Sequence, residues 1–184
     1  MLYTRKGDGG TTKTFGCDQR ISKSSTIAEA LGSLDEINSF LGICKVKSAE
    51  KNIMFSDDLS VSQIVHGVQK NLFIIQAELA GSEMSIDEPK IKEIEFYIDS
   101  IEKMLPPIKS FFISGGVELA ATFDVSRTIA RRAERRVVGV KEEGQRPIGE
   151  FTSAYMNRLS SLLYALARFA NHKSGITEES PDYK

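Results

Sequence analysis

Five stretches of this chain return an apolar residue every three or four positions, and each is bounded by glycine, proline or a polar run. That period belongs to a helix with one buried face and not to a strand. The stretches cover about residues 25–46, 61–80, 89–105, 117–141 and 149–172. The first carries Ile27, Leu34, Ile37, Leu41 and Cys44, with Ser24 or Ser25 as its N-cap. The second ends before Gly81, the third starts at Pro89 and stops ahead of Pro106-Pro107, and Gly144 to Pro147 separates the fourth from the fifth. With short connections and no convincing strand pattern, these runs predict an all-α fold, a five-helix bundle with an up-and-down, ferritin-like core. One domain spans residues 1–184: a glycine-rich N-terminal loop over 1–24, the bundle over 25–173 and a flexible tail over 174–184.

The fourth stretch also bears on chemistry. Arg127, Arg131, Arg132, Arg135 and Arg136 fall within ten residues against a single acid, Glu134, in a chain whose formal net charge is −1. On a wheel of about 100° per residue, Arg131, Arg135 and Glu134 lie within about 80° of Arg127. Ile129, Ala133, Val137 and Val140 form a core stripe on the opposite side, flanked by Arg132 and Arg136. Three like charges one turn apart repel, so either solvent screens this ledge, helped by pairs such as Arg131 with Glu134, or a polyanion sits on it. Arginine in place of lysine at every position favours the polyanion, because the planar guanidinium grips phosphate with two donors.

Ahead of the first helix, Gly7, Gly9, Gly10 and Gly16 alternate with Thr4, Thr11, Thr12 and Thr14. The segment from Thr4 to Thr12 joins bendable backbone to Arg5, Lys6, Asp8 and several hydroxyls, the make-up of an N–H nest for phosphate. It lacks the Gly-Lys-Ser/Thr and the preceding strand of a Walker A loop. A nucleotide loop and a loose N-terminal arm both fit that composition, and Lys23 adds one more cation. In the first helix the acids Asp35 and Glu36 sit mid-span, where they are either solvated or paired with an arginine of another element. Residues 47–59 are polar and read as a mobile or variable loop. Phe111-Phe112-Ile113-Ser114-Gly115-Gly116 runs an aromatic pair into a glycine turn at the mouth of helix four. The fifth helix has an arc from Leu159 to Ala170 and a polar stripe of Asn157, Ser161, Tyr164 and Arg168, and a frayed tail follows Lys173.

Near-neutral charge argues against a general nucleic-acid binder, and no apolar run approaches the roughly 20 residues of a membrane span. Cys17 and Cys44 are too few for a disulfide framework and lack metal-site spacing, so a reducing, cytoplasmic setting is expected. His66 and His172 belong to no metal motif. The opening Met-Leu-Tyr-Thr-Arg-Lys has neither a signal-peptide core nor a transit-peptide pattern.

Taken in order, the Thr-Arg-x-Gly-Asp-x-Gly loop at 4–10, Gly32-Ser33-Leu34-Asp35-Glu36-Ile37-Asn38, Phe111 with Gly115-Gly116, Arg127-x-x-x-Arg131-Arg132-Ala133-Glu134-Arg135 and Tyr155-Met156-Asn157-Arg158-Leu159-Ser160 cover nearly the whole chain. This series resembles the PduO-type ATP:cob(I)alamin (corrinoid) adenosyltransferases. The resemblance implies a homotrimer of five-helix bundles, with ATP held between neighbouring subunits. It implies that Thr4, Arg5, Gly7, Asp8, Gly10, Thr11, Thr12 and Lys23 bind the triphosphate from one subunit. Arg131, Glu134 and Asn157 would complete the site from the next, Glu134 near a magnesium-phosphate region. Asp35 would pair with Arg127 across the interface, and Phe111 would stand beneath the corrin ring and displace the lower axial ligand of cobalt. Two positions depart from the pattern: Ser161 where many members have aspartate, and Ser114 in place of a proline.

The implied reaction is attack of cob(I)alamin on C5′ of ATP, giving adenosylcobalamin and triphosphate. No side chain need act as nucleophile or base, and fixed cations at the departing triphosphate lower the barrier. A reductase that makes cob(I)alamin and an adenosylcobalamin-dependent client enzyme are implied as partners. A non-catalytic ATP-binding scaffold or sensor using the same loop and ledge is the alternative.

Overall fold

The computed structural model describes residues 3–14 and 19–183, so Gly16 and Cys17 lie outside the described residues. A short antiparallel hairpin, β1 (Thr11–Lys13) and β2 (Arg20–Ser22), precedes five helices: α1 (Thr26–Glu50), α2 (Val61–Ala80), α3 (Glu88–Met104), α4 (Glu118–Glu142) and α5 (Glu150–Lys173). The five helices fall where the apolar period puts them. The hairpin does not follow from any alternation of apolar and polar residues. Its threonines and Ile21 suit extended backbone, and a side chain from β2 closes it, as described below.

Cross-helix contacts fix the directions. Thr26 bonds Glu143, Arg132 bonds Glu36, Cys44 meets Ser126 and Lys47 meets Glu118, so α1 and α4 run antiparallel. Asn157 with Glu134, and Lys141 with Ser153, set α5 antiparallel to α4. α2 packs on α1, and α3 on α5. The core lies along these seams, with Leu34, Ile37, Leu41, Phe123, Ala130, Ala133 and Leu159 fully buried.

Helix α1 outlasts its expected end by four residues. Lys47, Ala49 and Glu50 favour helix, and the buried Ser48 donates its hydroxyl to the Cys44 carbonyl at 2.6 Å and so loses its tendency to break the turn. The connection that follows, expected as mobile or variable, is folded onto the bundle. Phe55 N–H donates to the Leu59 carbonyl at 2.9 Å, and the buried Phe55 ring meets those of Phe96 and Tyr97 at centroid distances of 6.3 and 5.6 Å. Among the described residues no helix is long and apolar enough to cross a membrane.

A charge holds the start of α5. Its N-cap, Gly149, has no side chain, so its N–H donates to Oε1 of Glu78 at 2.7 Å and the Thr152 hydroxyl donates to Oε2 at 2.5 Å. Glu78 is buried, and a carboxylate at a helix N-terminus is favoured by the dipole as well as by the bonds. Glu78→Ala orphans the buried Thr152 hydroxyl and frees the Gly149 N–H, and should cost about 2–3 kcal/mol, read as a lower urea midpoint at unchanged m. An unaltered midpoint would show that α5 starts without this carboxylate.

Candidate functional site

Two concavities meet at Arg131. The larger, about 620 Å³, lies between the 108–114 segment, α4 and α5; the smaller, about 440 Å³, is lined by Arg131, Glu134, Arg135, Val138, Glu142 and Asn157. Burial of Ala130, Ala133 and Val137 decides which arginine goes where. Arg132 and Arg136 turn to α1, bonding Glu36 and approaching Glu29 at 3.9 Å. Arg131 and Arg135 turn away from α1, and among the described residues neither forms an ion pair. Glu134 bonds neither of them: its Oε1 accepts from Asn157 Nδ2 at 3.1 Å, and Glu142 lines the same smaller concavity. Two guanidinium groups that no ion pair engages keep their paired donors available to grip phosphate.

Arg127 lines the larger cavity and finds a partner in its own chain, Asp124, at 3.3 Å, with the Tyr164 ring 5.9 Å from its guanidinium carbon. Asp35, expected as its partner across an interface, is exposed on α1. Burial raises the Tyr164 pKa above its ordinary value, which keeps the phenol neutral beside these arginines.

Phe111, at 79% exposure, stands on the rim of the larger cavity, while Phe112 lies beneath Arg168, 5.0 Å from guanidinium carbon to ring centroid. The glycine turn after them is gripped by a residue that spacing did not single out. Asn171 Oδ1 accepts from Val117 N–H at 3.0 Å and Nδ2 donates to the Gly115 carbonyl at 3.0 Å. Gly116 adopts φ 91°, and a Cβ there would stand 2.2 Å from Asn171 Oδ1, so only glycine lets the amide approach. Arg168, expected on a polar stripe, is buried instead, because the chain after α5 returns over it. That chain, expected to fray, bonds the 110–113 segment.

The N-terminal loop is a closed turn. Gly10 N–H donates to the Gly7 carbonyl at 3.1 Å, Asp8 N–H to the Arg5 carbonyl at 3.2 Å and Lys23 N–H to the Gly10 carbonyl at 2.9 Å, with Arg5 and Gly10 at positive φ. Arg20, which composition did not mark, holds it from within: Nη2 donates to the carbonyls of Lys6 at 2.5 Å and Thr11 at 2.7 Å, and Nε to Thr11 Oγ1 at 2.7 Å. The Lys23 ammonium lies beside Gly7, 3.3 Å from where a Cβ would be. Thr4, Arg5, Asp8 and Lys23 remain exposed, and Gly7, Thr11 and Thr12 are half-buried. Among the described residues, the loop's hydrogen bonds run to itself, to Arg20 and to Lys23, and none joins it to Arg131 or Arg135. One chain thus presents an anion-seeking loop and an anion-seeking ledge that are not bonded to each other.

Cys44 is buried against Ser126, and burial pushes its thiol up to about 11, which removes it from nucleophilic chemistry. Among the described residues no cluster of three or more His, Cys, Asp or Glu could hold a metal. Gly116→Ala should force the turn out of Asn171's reach and lose roughly 2 kcal/mol or more. Faster amide exchange at Val117 in that variant is the accompanying readout, and unchanged protection there would refute the clamp.

A protein-family model described as Cobalamin adenosyltransferase matches residues 2–170. The chain is 38% identical to Corrinoid adenosyltransferase PduO of Citrobacter freundii over 93% of its own length and 50% of that protein's, and 36% identical to the one from Salmonella typhimurium over 97% and 53%. It therefore spans about half the length of these two relatives. It is 34% identical to Corrinoid adenosyltransferase of Bacillus subtilis over 95% of this chain and 89% of that one. Among solved structures it is similar to a phenylalanine-to-histidine variant of a PduO-type ATP:corrinoid adenosyltransferase from Lactobacillus reuteri complexed with cobalamin and ATP. That likeness has a TM-score of 0.87 and 28% identity, and covers 100% of this chain and 97% of the other.

Proposed function

The chain belongs to the cobalamin adenosyltransferase family, and from this we propose that it transfers the 5′-deoxyadenosyl group of ATP to cob(I)alamin, giving adenosylcobalamin and triphosphate. One observation carries the proposal. Arg131 borders both an aromatic-rimmed cavity large enough for part of a planar macrocycle and a polar concavity whose two arginines suit phosphates. The bond that forms, cobalt to C5′, and the bond that breaks, C5′ to oxygen, would then lie close to a single guanidinium.

In this reading the cobalt lone pair attacks C5′ and the electron pair of the breaking bond leaves on the triphosphate. Arg131 and Arg135 meet the charge that develops there, and cations already in place need no reorganisation as it grows. Asn157 and Glu134 fix the nucleotide side. Magnesium fits here with one protein carboxylate and the substrate's phosphates as ligands, since that ion seldom needs a protein-only cage. Glu134 is the residue that would hold it, and the ion would spread the negative charge of the triphosphate. Phe111 presents an apolar face to the corrinoid, excluding water and the lower ligand so that cobalt is more readily reduced.

The loop of Thr4, Arg5, Gly7, Asp8, Gly10, Thr11, Thr12 and Lys23 closes the same site from a neighbouring subunit of a homotrimer. A stripe on α1 supports such an interface. Asp35 shares it with Ile43 and Val46, eight and eleven residues on, which are 44% and 54% exposed. There Asp35 of one subunit would meet Arg127 of the next. A cytoplasmic setting, a supplying reductase and a client enzyme that takes the product belong to the same reading.

Adenosylation is followed optically with ATP, magnesium and chemically reduced cobalamin. Formation of adenosylcobalamin with one triphosphate per turnover is expected, whereas ATP binding without either product would identify a non-catalytic sensor. Arg131→Ala should lower kcat/KM by roughly 10²-fold or more, and a value within about twofold of wild type would remove Arg131 from the site. Phe111→Ala should reduce turnover strongly while the ATP Kd changes by less than about twofold. Unaltered turnover would refute the role given to that ring.

A further inference from the structure

The chain after α5 forms part of the larger cavity, yet the reaction as proposed gives it no task. Arg168 is 5% exposed, a rare position for a guanidinium, and three contacts hold it there. Nε donates to Glu178 Oε2 at 2.8 Å, Nη2 donates to the Pro106 carbonyl at 3.0 Å, and the Phe112 ring lies 5.0 Å away. The Glu178 side chain is itself only 16% exposed. Beyond it, the Glu179 carbonyl accepts from Ile113 N–H at 2.8 Å and the Ser180 and Ser110 hydroxyls bond at 2.7 Å. Residues 106–113 are therefore held between α5 and the 178–180 segment.

A buried ion pair contributes little net stability, because desolvation offsets most of the attraction. What this one supplies is direction. The planar fork bonds a carboxylate and a carbonyl at once and stacks on a ring, which a flexible ammonium does not do. Phe111, at 79% exposure, takes its place from the backbone on either side of it, and Arg168 and its partners hold that backbone.

We propose that Arg168 is a positioning residue for the corrinoid side of the site and that Glu178 is the counter-charge that keeps it in place, so that the C-terminal segment sets where Phe111 stands. This rests on the larger cavity being the corrinoid pocket. Without Glu178 the guanidinium is left buried and unpaired, and it leaves for solvent, releasing Pro106 and the face of Phe112.

The test compares full-length wild type with Glu178→Gln and with Arg168→Lys, which keeps the charge and loses the fork. Four quantities are read: kcat/KM for cobalamin, the optical signature of four-coordinate cob(II)alamin with ATP present, the ATP Kd, and amide exchange at Ile113, with Tm as the control of folding. Glu178→Gln should lower cobalamin kcat/KM roughly tenfold or more, with the four-coordinate signature falling in step and the ATP Kd within about twofold of wild type. Ile113 should exchange faster. Arg168→Lys should fall between the two, and if it does not fold, Glu178→Gln alone decides. Unchanged cobalamin parameters beside an active wild type would overturn the proposal, as would an equal loss of ATP affinity, which marks a purely structural role. Should wild type itself make no adenosylcobalamin, the functional reading fails separately, and exchange at Ile113 decides the clamp: unchanged protection in Glu178→Gln removes it, and faster exchange at constant Tm upholds it.

Discussion

The azimuth of α4 governs this molecule. Phe123, Ala130, Ala133 and Val140 are fully buried between α1 and α5, and that burial leaves one rotation of the helix in which no charge is driven into the core. Turning α4 by about 100°, the step between adjacent residues, would carry arginines into the seam at a cost of several kcal/mol each. The small side chains of Ala130 and Ala133 let the neighbouring helices come close, and Glu36 and Glu29 hold Arg132 and Arg136 on the α1 side. What remains is Arg131 and Arg135 facing the opposite way. The ledge is thus a by-product of core packing, which gives it the rigidity that preorganised electrostatics needs.

Three buried polar groups and the half-buried Arg20 do the complementary work of fixing irregular backbone to this frame. Glu78 starts α5, Asn171 grips the Gly115-Gly116 turn, Arg168 holds Pro106 and Phe112, and Arg20 braces the N-terminal loop. Each makes two or three hydrogen bonds, at least one of them to backbone. A buried polar group left half-satisfied costs more than an apolar one, so such groups tolerate few alternative arrangements of the segments they touch. Three of the four bear directly on the proposed site, which is built from loops that have little apolar surface of their own.

That division explains what the sequence disclosed and what it withheld. Helix positions follow from a local period, and all five appear where it recurs, within one or two residues except at the end of α1. The split of the arginines into a ledge and two flanking residues is also local geometry and was legible from the wheel. Arg20, Glu78, Arg168 and Asn171 were not, because their partners lie between 9 and 74 residues away or are backbone atoms that leave no mark on residue type. Arg168 misled for a specific reason: its spacing placed it on a polar face, and it is covered by chain that returns from elsewhere, Pro106 and Phe112 on one side and Glu178 on the other. The hairpin escaped for the same cause, since its closure depends on a side chain reaching across from the second strand and not on an alternating pattern.

The separation of loop and ledge within one chain has a further consequence for how the site works. A triphosphate resting on Arg131 and Arg135 alone would be open to water on its far side, where solvent and salt screen the attraction. The loop offers what the ledge lacks, backbone N–H groups and the ammonium of Lys23 on a braced turn, but its own bonds do not bring it over Arg131. Closure by a second subunit would join the two surfaces and expel water from between them, so affinity for the nucleotide and association of the subunits would rise together. The pairing of Arg127 fits that coupling. In a single chain it pairs with Asp124, 3 residues away on the same helix, the two side chains 29% and 13% exposed. Approach of an exposed carboxylate such as Asp35 from a neighbour would add a second partner without disturbing Arg131, one turn further along.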